Sequence, residues 1–341
     1  MKFKNKKILF ISANFFKYEN LIVKELEKSH AQVDFFNERP SNSLLTKGII
    51  RIAPGVMKIS IKHYYKNILQ QIKNKKYDYL LLIKGESIPF FFLEEFSKQN
   101  PNAFKIFYMY DSIYEYPKSV KLFPYFDKNI TFELQDAKKY NIEFRPLFYI
   151  DDYLKTNSSA NNTYDLTFIG SAHTDRFIVG EKIRKKLKEL NLKGFFFYYA
   201  PSKFSFMLRK FFDKHLKDFD LEKLNFNSLT HQEISDIYAK STAVLDINKP
   251  FQFGLSMRCL ETLAAEKKLI TTNSEIKNYS FFREENILVI NRENPIIDKG
   301  FFTTQFKPYN QKEFQLFSLN EWINDIFKEE RNKISTFCDD Y

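Results

Sequence analysis

Tyr164-Asp-Leu-Thr-Phe-Ile-Gly-Ser-Ala-His-Thr-Asp-Arg176 is the stretch on which the fold turns. Tyr164–Ile169 reads as a buried strand, and Asp175–Leu190 continues with helical periodicity. Gly170 and a short polar loop join them, so the segment is one β–α unit. Gly170 permits close backbone approach, and Ser171 and Thr174 can donate to a phosphate. Arg176 stands at the helix start, where unpaired backbone N–H groups attract anions. An ordinary β–α loop is the alternative reading. The loop is neither GxGxxG nor GxxxxGK[ST], so the standard dinucleotide and P-loop readings lack support.

The same rhythm runs on both sides. Upstream, strands are predicted at Lys7–Ser12, Ala31–Phe36, Tyr77–Ile83, Phe104–Met109, Asp127–Thr131 and Phe144–Leu147. Helices are predicted at Lys17–Ser29 and Val56–Asn74. Downstream come strands at Gly194–Tyr199, Ala243–Ile247, Lys268–Thr272 and Asn286–Ile290. Helices fall at His231–Lys240, Ser256–Ala265 and Leu319–Asn332. Between the two series lies Asp151–Thr163, rich in Asn and Ser and read as a linker. The expected organisation is an α/β chain of two Rossmann-like βαβ domains facing a central cleft. Residues 1–150 form the acceptor-side domain, 151–163 the linker and 164–318 the donor-side domain. A closing helix and tail follow at 319–341. Open parallel sheets bind ligands beyond the carboxyl ends of their strands.

With 341 residues and 44% hydrophobic content, the chain is long enough for two such cores. The net charge of +11 suits polyanions, but the basic residues are scattered. Lys182, Arg184, Lys185, Lys186 and Lys188 on one helix read as a solvated face. No nucleic-acid motif is present, whereas peripheral contact with an anionic inner membrane fits the charge. Cys259 and Cys338 give neither a disulfide framework nor a metal spacing, and no apolar run can span a bilayer. The expected location is the cytoplasm, with room for a peripheral place on the inner face of the membrane. The histidines and acidic residues form no metal-ligand cluster and no DxD device, so no metal or other cofactor is expected.

Four further segments carry candidate chemistry. In Phe253–Asn273, Ser256 can cap a helix, and Gly254 precedes it. Arg258 falls in the first turn and Glu261 one turn deeper on the same face. Arg258 can neutralise a phosphate and Glu261 can accept from ribose hydroxyls; a surface ion pair between them is the alternative. Asp111 follows a strand within Tyr108-Met-Tyr-Asp-Ser-Ile-Tyr114. A carboxylate ringed by tyrosines can serve as a base, and a helix N-cap is the alternative. Lys84 and Glu86 in Ile83–Ser87, and Arg39 in Phe36–Pro40, also stand at strand ends and can contact an acceptor. Ordinary loops are the alternative for both.

Several segments together resemble the CgeB-like family of bacterial glycosyltransferases. These are Tyr110-Asp-Ser112, Phe126-Asp-Lys128, Asp136–Tyr140, Arg145–Phe148, Tyr164–Gly170, His173–Arg176, Gly254–Glu261 and Lys267–Asn273. The resemblance implies a GT-B fold, no essential metal and a nucleotide-sugar co-substrate held mainly by the second domain. It implies donor binding by Gly170, Ser171, His173, Arg176, Gly254, Arg258 and Glu261. From their places at strand ends, Asp111 is the catalytic candidate and Lys84, Glu86 and Arg39 the acceptor-binding candidates. The acceptor class it implies is a glycan or lipid-linked glycan of the cell surface, as in lipopolysaccharide or capsule synthesis. Many retaining relatives carry a second Glu seven or eight positions before Glu261; here Gly254 and Phe253 occupy those places, so the motif does not choose between retention and inversion. Transfer of a polyol phosphate from a CDP-linked donor is a second enzymatic reading. A non-catalytic basic protein for polyanions or membranes is a third.

Overall fold

The computed structural model describes residues 3–40, 54–154, 162–330 and 336–338. The chain divides into two compact units. The first holds Met1–Arg145 and a return segment that begins at Trp322; the second holds Pro146–Glu321 and the residues from Ser335. Residues 155–161 of the expected linker, Arg331 and Asn332 of the expected closing helix, and the Asp339-Asp340 tail lie outside the described residues.

The first unit is built on six strands: β1 Lys7–Ser12, β2 Gln32–Asn37, β3 Tyr79–Ile83, β4 Phe104–Met109, β5 Lys128–Thr131 and β6 Glu143–Phe144. Their order is β2-β1-β3-β4-β5-β6, with all pairings parallel. A parallel sheet is covered on both faces, which is why β1 and β3 read as unbroken apolar runs. Helices Pro54–Ile72 and Phe90–Gln99 bury Tyr65, Ile68, Phe92 and Phe96 with Leu9, Leu80 and Leu82 of the strands. The order reverses between β1 and β3, where Ser12 is level with Ile83. That switch point opens a crevice beyond the strand ends.

The second unit repeats the plan with β7 Tyr164–Ser171, β8 Gly194–Tyr199, β9 Leu224–Asn225, β10 Ser241–Asp246, β11 Lys268–Thr271 and β12 Ile287–Val289. The order is β12-β11-β10-β7-β8-β9, again all parallel. Counted within the unit this is 3-2-1-4-5-6, the Rossmann order, and its switch point lies between β7 and β10. Leu166, Phe168, Ile183, Ala243, Leu245 and Ile270 fill the core.

Several boundaries differ from the sequence expectation. The strand expected at Phe144–Leu147 is only Glu143–Phe144. The Arg145 N–H still donates to Thr131 O at 3.0 Å, but Pro146 has no N–H with which to extend the ladder. The last helix covers Leu319–Ile326 rather than Leu319–Asn332. Helices Phe90–Gln99 and Lys203–Phe212 and the two-residue β9 were not anticipated.

The return segment is held within the first unit by buried charge. Trp322 packs edge-on to Tyr108 at 4.8 Å. The Arg145 guanidinium, fully buried, pairs with Asp325 at 2.9 Å. Lys128 pairs with Glu143 at 3.1 Å and donates to the carbonyls of Asp325 and Lys328 at 3.0 and 2.8 Å. Removing one partner of such a pair strands the other charge. Asp325→Ala should therefore destabilise the protein by about 3–5 kcal/mol in denaturant titration. A loss within experimental error would show that the pair anchors nothing.

Candidate functional site

The second unit concentrates its polar groups at the switch point. Asp246 ends β10 with 0% of its surface exposed. A buried carboxylate needs partners, and this one has four. Arg258 Nη1 donates to its Oδ1 at 2.7 Å and Ser256 Oγ to the same oxygen at 2.8 Å. Cys259 Sγ and Thr271 Oγ1 donate to Oδ2 at 3.4 and 3.3 Å. Ser256 occupies the N-cap position of helix Met257–Ala264, yet makes no side-chain cap. The expectation that it caps the helix is thus corrected: its hydroxyl donates to Asp246 instead. A surface ion pair between Arg258 and Glu261 is also corrected. Arg258 is paired to Asp246, and Glu261 is only 4% exposed. Asp246 raises the Arg258 pKa against the effect of burial.

Arg258 lies across the end of β7. Its guanidinium is 5.6 Å from the centre of the Phe168 ring. A methyl group at Gly170 would come within 3.2 Å of Arg258 Nη2 and 2.8 Å of Phe168 Cζ. Gly170 is therefore needed for space, as expected of a strand-end glycine. Gly254 is tied to β11 because the Asn273 amide donates to the carbonyls of Phe253 and Gly254 at 2.9 and 3.3 Å.

The loop after β7 is a chain of hydrogen bonds. Arg176 is buried; its Nε donates to Ile247 O at 2.8 Å and its Nη1 to Ser171 O at 3.5 Å. Nη1 also meets His173 Nε2 at 3.0 Å. Arginine only donates, so Nε2 accepts and the histidine proton sits on Nδ1. That nitrogen is 3.3 Å from Thr174 Oγ1, which itself donates to His173 O at 2.6 Å. In this structure the Thr174 hydroxyl is bonded within its own loop. Burial pushes His173 well below the ordinary histidine range, assisted by Arg176, Lys249, Arg209 and Arg258. Burial and Arg258 push Arg176 down to about 9, which still leaves it cationic at neutral pH. Arg292 clamps the start of the following helix through Asp175, with both contacts at 2.7 Å. Glu261 lies close enough to Tyr153 and Tyr238 to raise both phenols, whose main cause is burial.

In the first unit, the candidate residues meet just beyond β3. Lys84 Nζ is 2.8 Å from Asp111 and 3.7 Å from Glu86, while Arg39 pairs with Glu86. Lys84 and Gly85 both have positive φ, +83° and +73°. A side chain on Gly85 would strike Leu122 at 2.7 Å, so the turn requires glycine twice over. Behind it, Glu38 accepts from the Ser87 N–H at 2.5 Å, and burial pushes its carboxyl up. Tyr116 donates to Glu86 O at 2.8 Å. The expected ring of tyrosines about Asp111 is not assembled. Tyr108 is fully buried and donates to Arg145 O at 2.7 Å, whereas Tyr114 is 72% exposed. Alternation along β4 and the turn after it scatters these side chains. No helix starts at Asp111 either; the next helical turn is Pro117–Tyr125.

Comparison with known proteins places this architecture. No family model matches the chain, and no curated protein matches it by sequence. Solved structures do. Anabaena HepE in complex with UDP and glucose superposes with a TM-score of 0.53 at 11% identity, covering 94% of this chain and 98% of that one. A UDP-N-acetylglucosamine 2-epimerase gives 0.52 at 12% identity, covering 97% and 99%. The catalytic domain of starch synthase IV from Arabidopsis thaliana, bound to ADP and acarbose, gives 0.51 at 10% identity, covering 93% and 95%. The fold is of the GT-B type. Likeness at this identity carries the fold alone.

Sequence reasoning missed Asp246 and Arg292. The signal for Asp246 was there: a carboxylate inside the apolar run Ala243–Ile247. Arg292 had none, because its partners lie 117 and 44 positions away.

His173 yields a pH prediction. Its folded-state pKa is depressed, so at acid pH the unfolded chain takes up a proton that the folded chain refuses. Its contribution is present above the ordinary value of 6.5 and is lost as pH falls below it. The melting temperature should fall more steeply below that pH in the wild type than in His173→Gln. Parallel profiles would show that His173 is not held neutral.

Proposed function

We propose that this chain transfers a sugar from a nucleotide-sugar donor to a hydroxyl of a cell-surface glycan, as its CgeB-like sequence features imply. The observation that carries this is the cationic loop at the switch point of the second sheet. There Arg176, whose bonds go to carbonyls and an imidazole, lies beside Arg258 and Gly170. Two guanidiniums at one strand end suit a diphosphate. The arrangement supports departure of a nucleoside diphosphate without a metal, because fixed donors already face the developing charge. HepE and starch synthase IV, which share the fold, are described with UDP and with ADP.

In this reading Gly170, Ser171, His173, Arg176, Gly254 and Arg258 form the diphosphate side of the donor site. Glu261, buried beside Tyr153 and Tyr238, takes the ribose side. Arg39, Lys84, Glu86 and Asp111 form an acceptor group in the first unit. Asp111 activates the acceptor hydroxyl once its pair with Lys84 opens. Lipid-linked glycans at the cytoplasmic face of the membrane are the acceptor class proposed.

Thermal-shift and product assays with a panel of nucleotide sugars test the proposal. Arg258→Ala should weaken nucleotide binding about tenfold or more, the effect of losing a charge-assisted bond. Absence of any shift, hydrolysis or transfer across the panel would refute it. Release of CMP would mark polyol-phosphate transfer, and interconversion of donor sugars without transfer would mark an epimerase.

A further inference from the structure

Helix Lys203–Phe212, with the sequence KFSFMLRKFF, belongs to neither residue group above. Phe204, Met207, Leu208 and Phe211 follow the i, i+3, i+4, i+7 spacing of an apolar helical stripe. Such a stripe normally faces a core. Here Phe204 is 74% exposed and Phe211 is 83% exposed, and Met207, Leu208 and Phe212 are exposed as well. Phe206 is the helix's buried residue, its ring 5.0 Å from Phe219. The helix is therefore fastened on one side and presents five large apolar groups to solvent, a surface that marks an interaction site.

Charge selects the occupant. The helix carries Lys203, Arg209 and Lys210 and no acidic residue. Exposed Lys214 and Lys217 follow it. Asp213 is the single carboxylate from 203 to 217, and it accepts from the His215 N–H at 2.9 Å. Phenylalanines beside lysines that, with Arg209, outnumber Asp213, Asp218 and Asp220 suit an apolar layer bounded by negative headgroups. Among the described residues no helix is long and apolar enough to cross a membrane, so contact through this helix is at the surface. We propose that Lys203–Phe212 is an interfacial anchor for an anionic lipid bilayer. Its aromatic stripe enters the acyl boundary, and Lys203, Lys214 and Lys217 lie at headgroup level. Lys210 is a staple instead, donating to Phe219 O at 2.8 Å. Arg209 is among the cations that depress His173, so the anchor adjoins the loop after β7 in the same unit. This goes beyond the transferase reading and depends on no donor or acceptor.

Co-sedimentation of the full chain with phosphatidylcholine vesicles, with and without phosphatidylglycerol, tests the anchor. Binding should need the anionic lipid and weaken with salt. The combined change Phe204→Ser, Leu208→Ser and Phe211→Ser should lower partitioning about tenfold or more, with the melting temperature unchanged. Reversing Lys203, Lys214 and Lys217 to Glu should also abolish binding, by repulsion. Equal binding to neutral vesicles, or undiminished binding by the serine variant, overturns the proposal. So does a concentration-dependent dimer that the serine variant abolishes, which would give the face to a second copy. The vesicle assay contains no nucleotide, so its failure is distinct from failure of the transferase reading.

Discussion

Asp246 is a buried carboxylate at the end of a parallel strand, and its four donors come from the start of helix Met257–Ala264 and from the end of β11. Burying an anion without partners is prohibitive, so the donors are held as firmly as the charge needs them. Arg258 gains a fixed position across Gly170, and Ser256 gives up capping its helix. That helix start has no side-chain cap. A preorganised charge costs no rearrangement when a reaction develops negative charge beside it.

The cations of this loop divide by partner. Arg258 and Arg292 are each matched by an aspartate. Arg176 is matched by carbonyls and by a histidine kept neutral. Burial is the main cause of the low His173 pKa, and Arg176, Lys249, Arg209 and Arg258 add to it. The first unit uses charge differently. Beyond β3, Lys84 and Arg39 are both balanced by carboxylates, and two positive-φ residues turn the chain so that they meet.

The periodicity of apolar runs determined most of the architecture. Among the described residues, ten of the twelve strands sit where their β-forming residues place them, because a parallel sheet buries both faces of each strand. β9 and β6 were missed or misplaced because two-residue strands carry no period, and Pro146 cuts one of them short. Gly170, Arg176 and Arg258 were readable as candidates from a strand end, a helix start and residue type, and the fold brings them together. Lys84, Glu86, Arg39 and Asp111 were readable only as separate strand-end candidates.

Tertiary structure decided the pairings. The strand order, which makes β7 and β10 neighbours, lays Arg258 over Phe168 and Gly170; no local spacing encodes that contact. It turned the expected cap Ser256 into an Asp246 donor and withdrew Tyr108 from Asp111 into the core. It also left the stripe of Lys203–Phe212 outside, where an amphipathic pattern alone would have put it inside. A sequence states which faces are apolar and where strands end. Which charges neutralise one another, and which apolar face stays uncovered, depends on distances that exist only once the chain has folded.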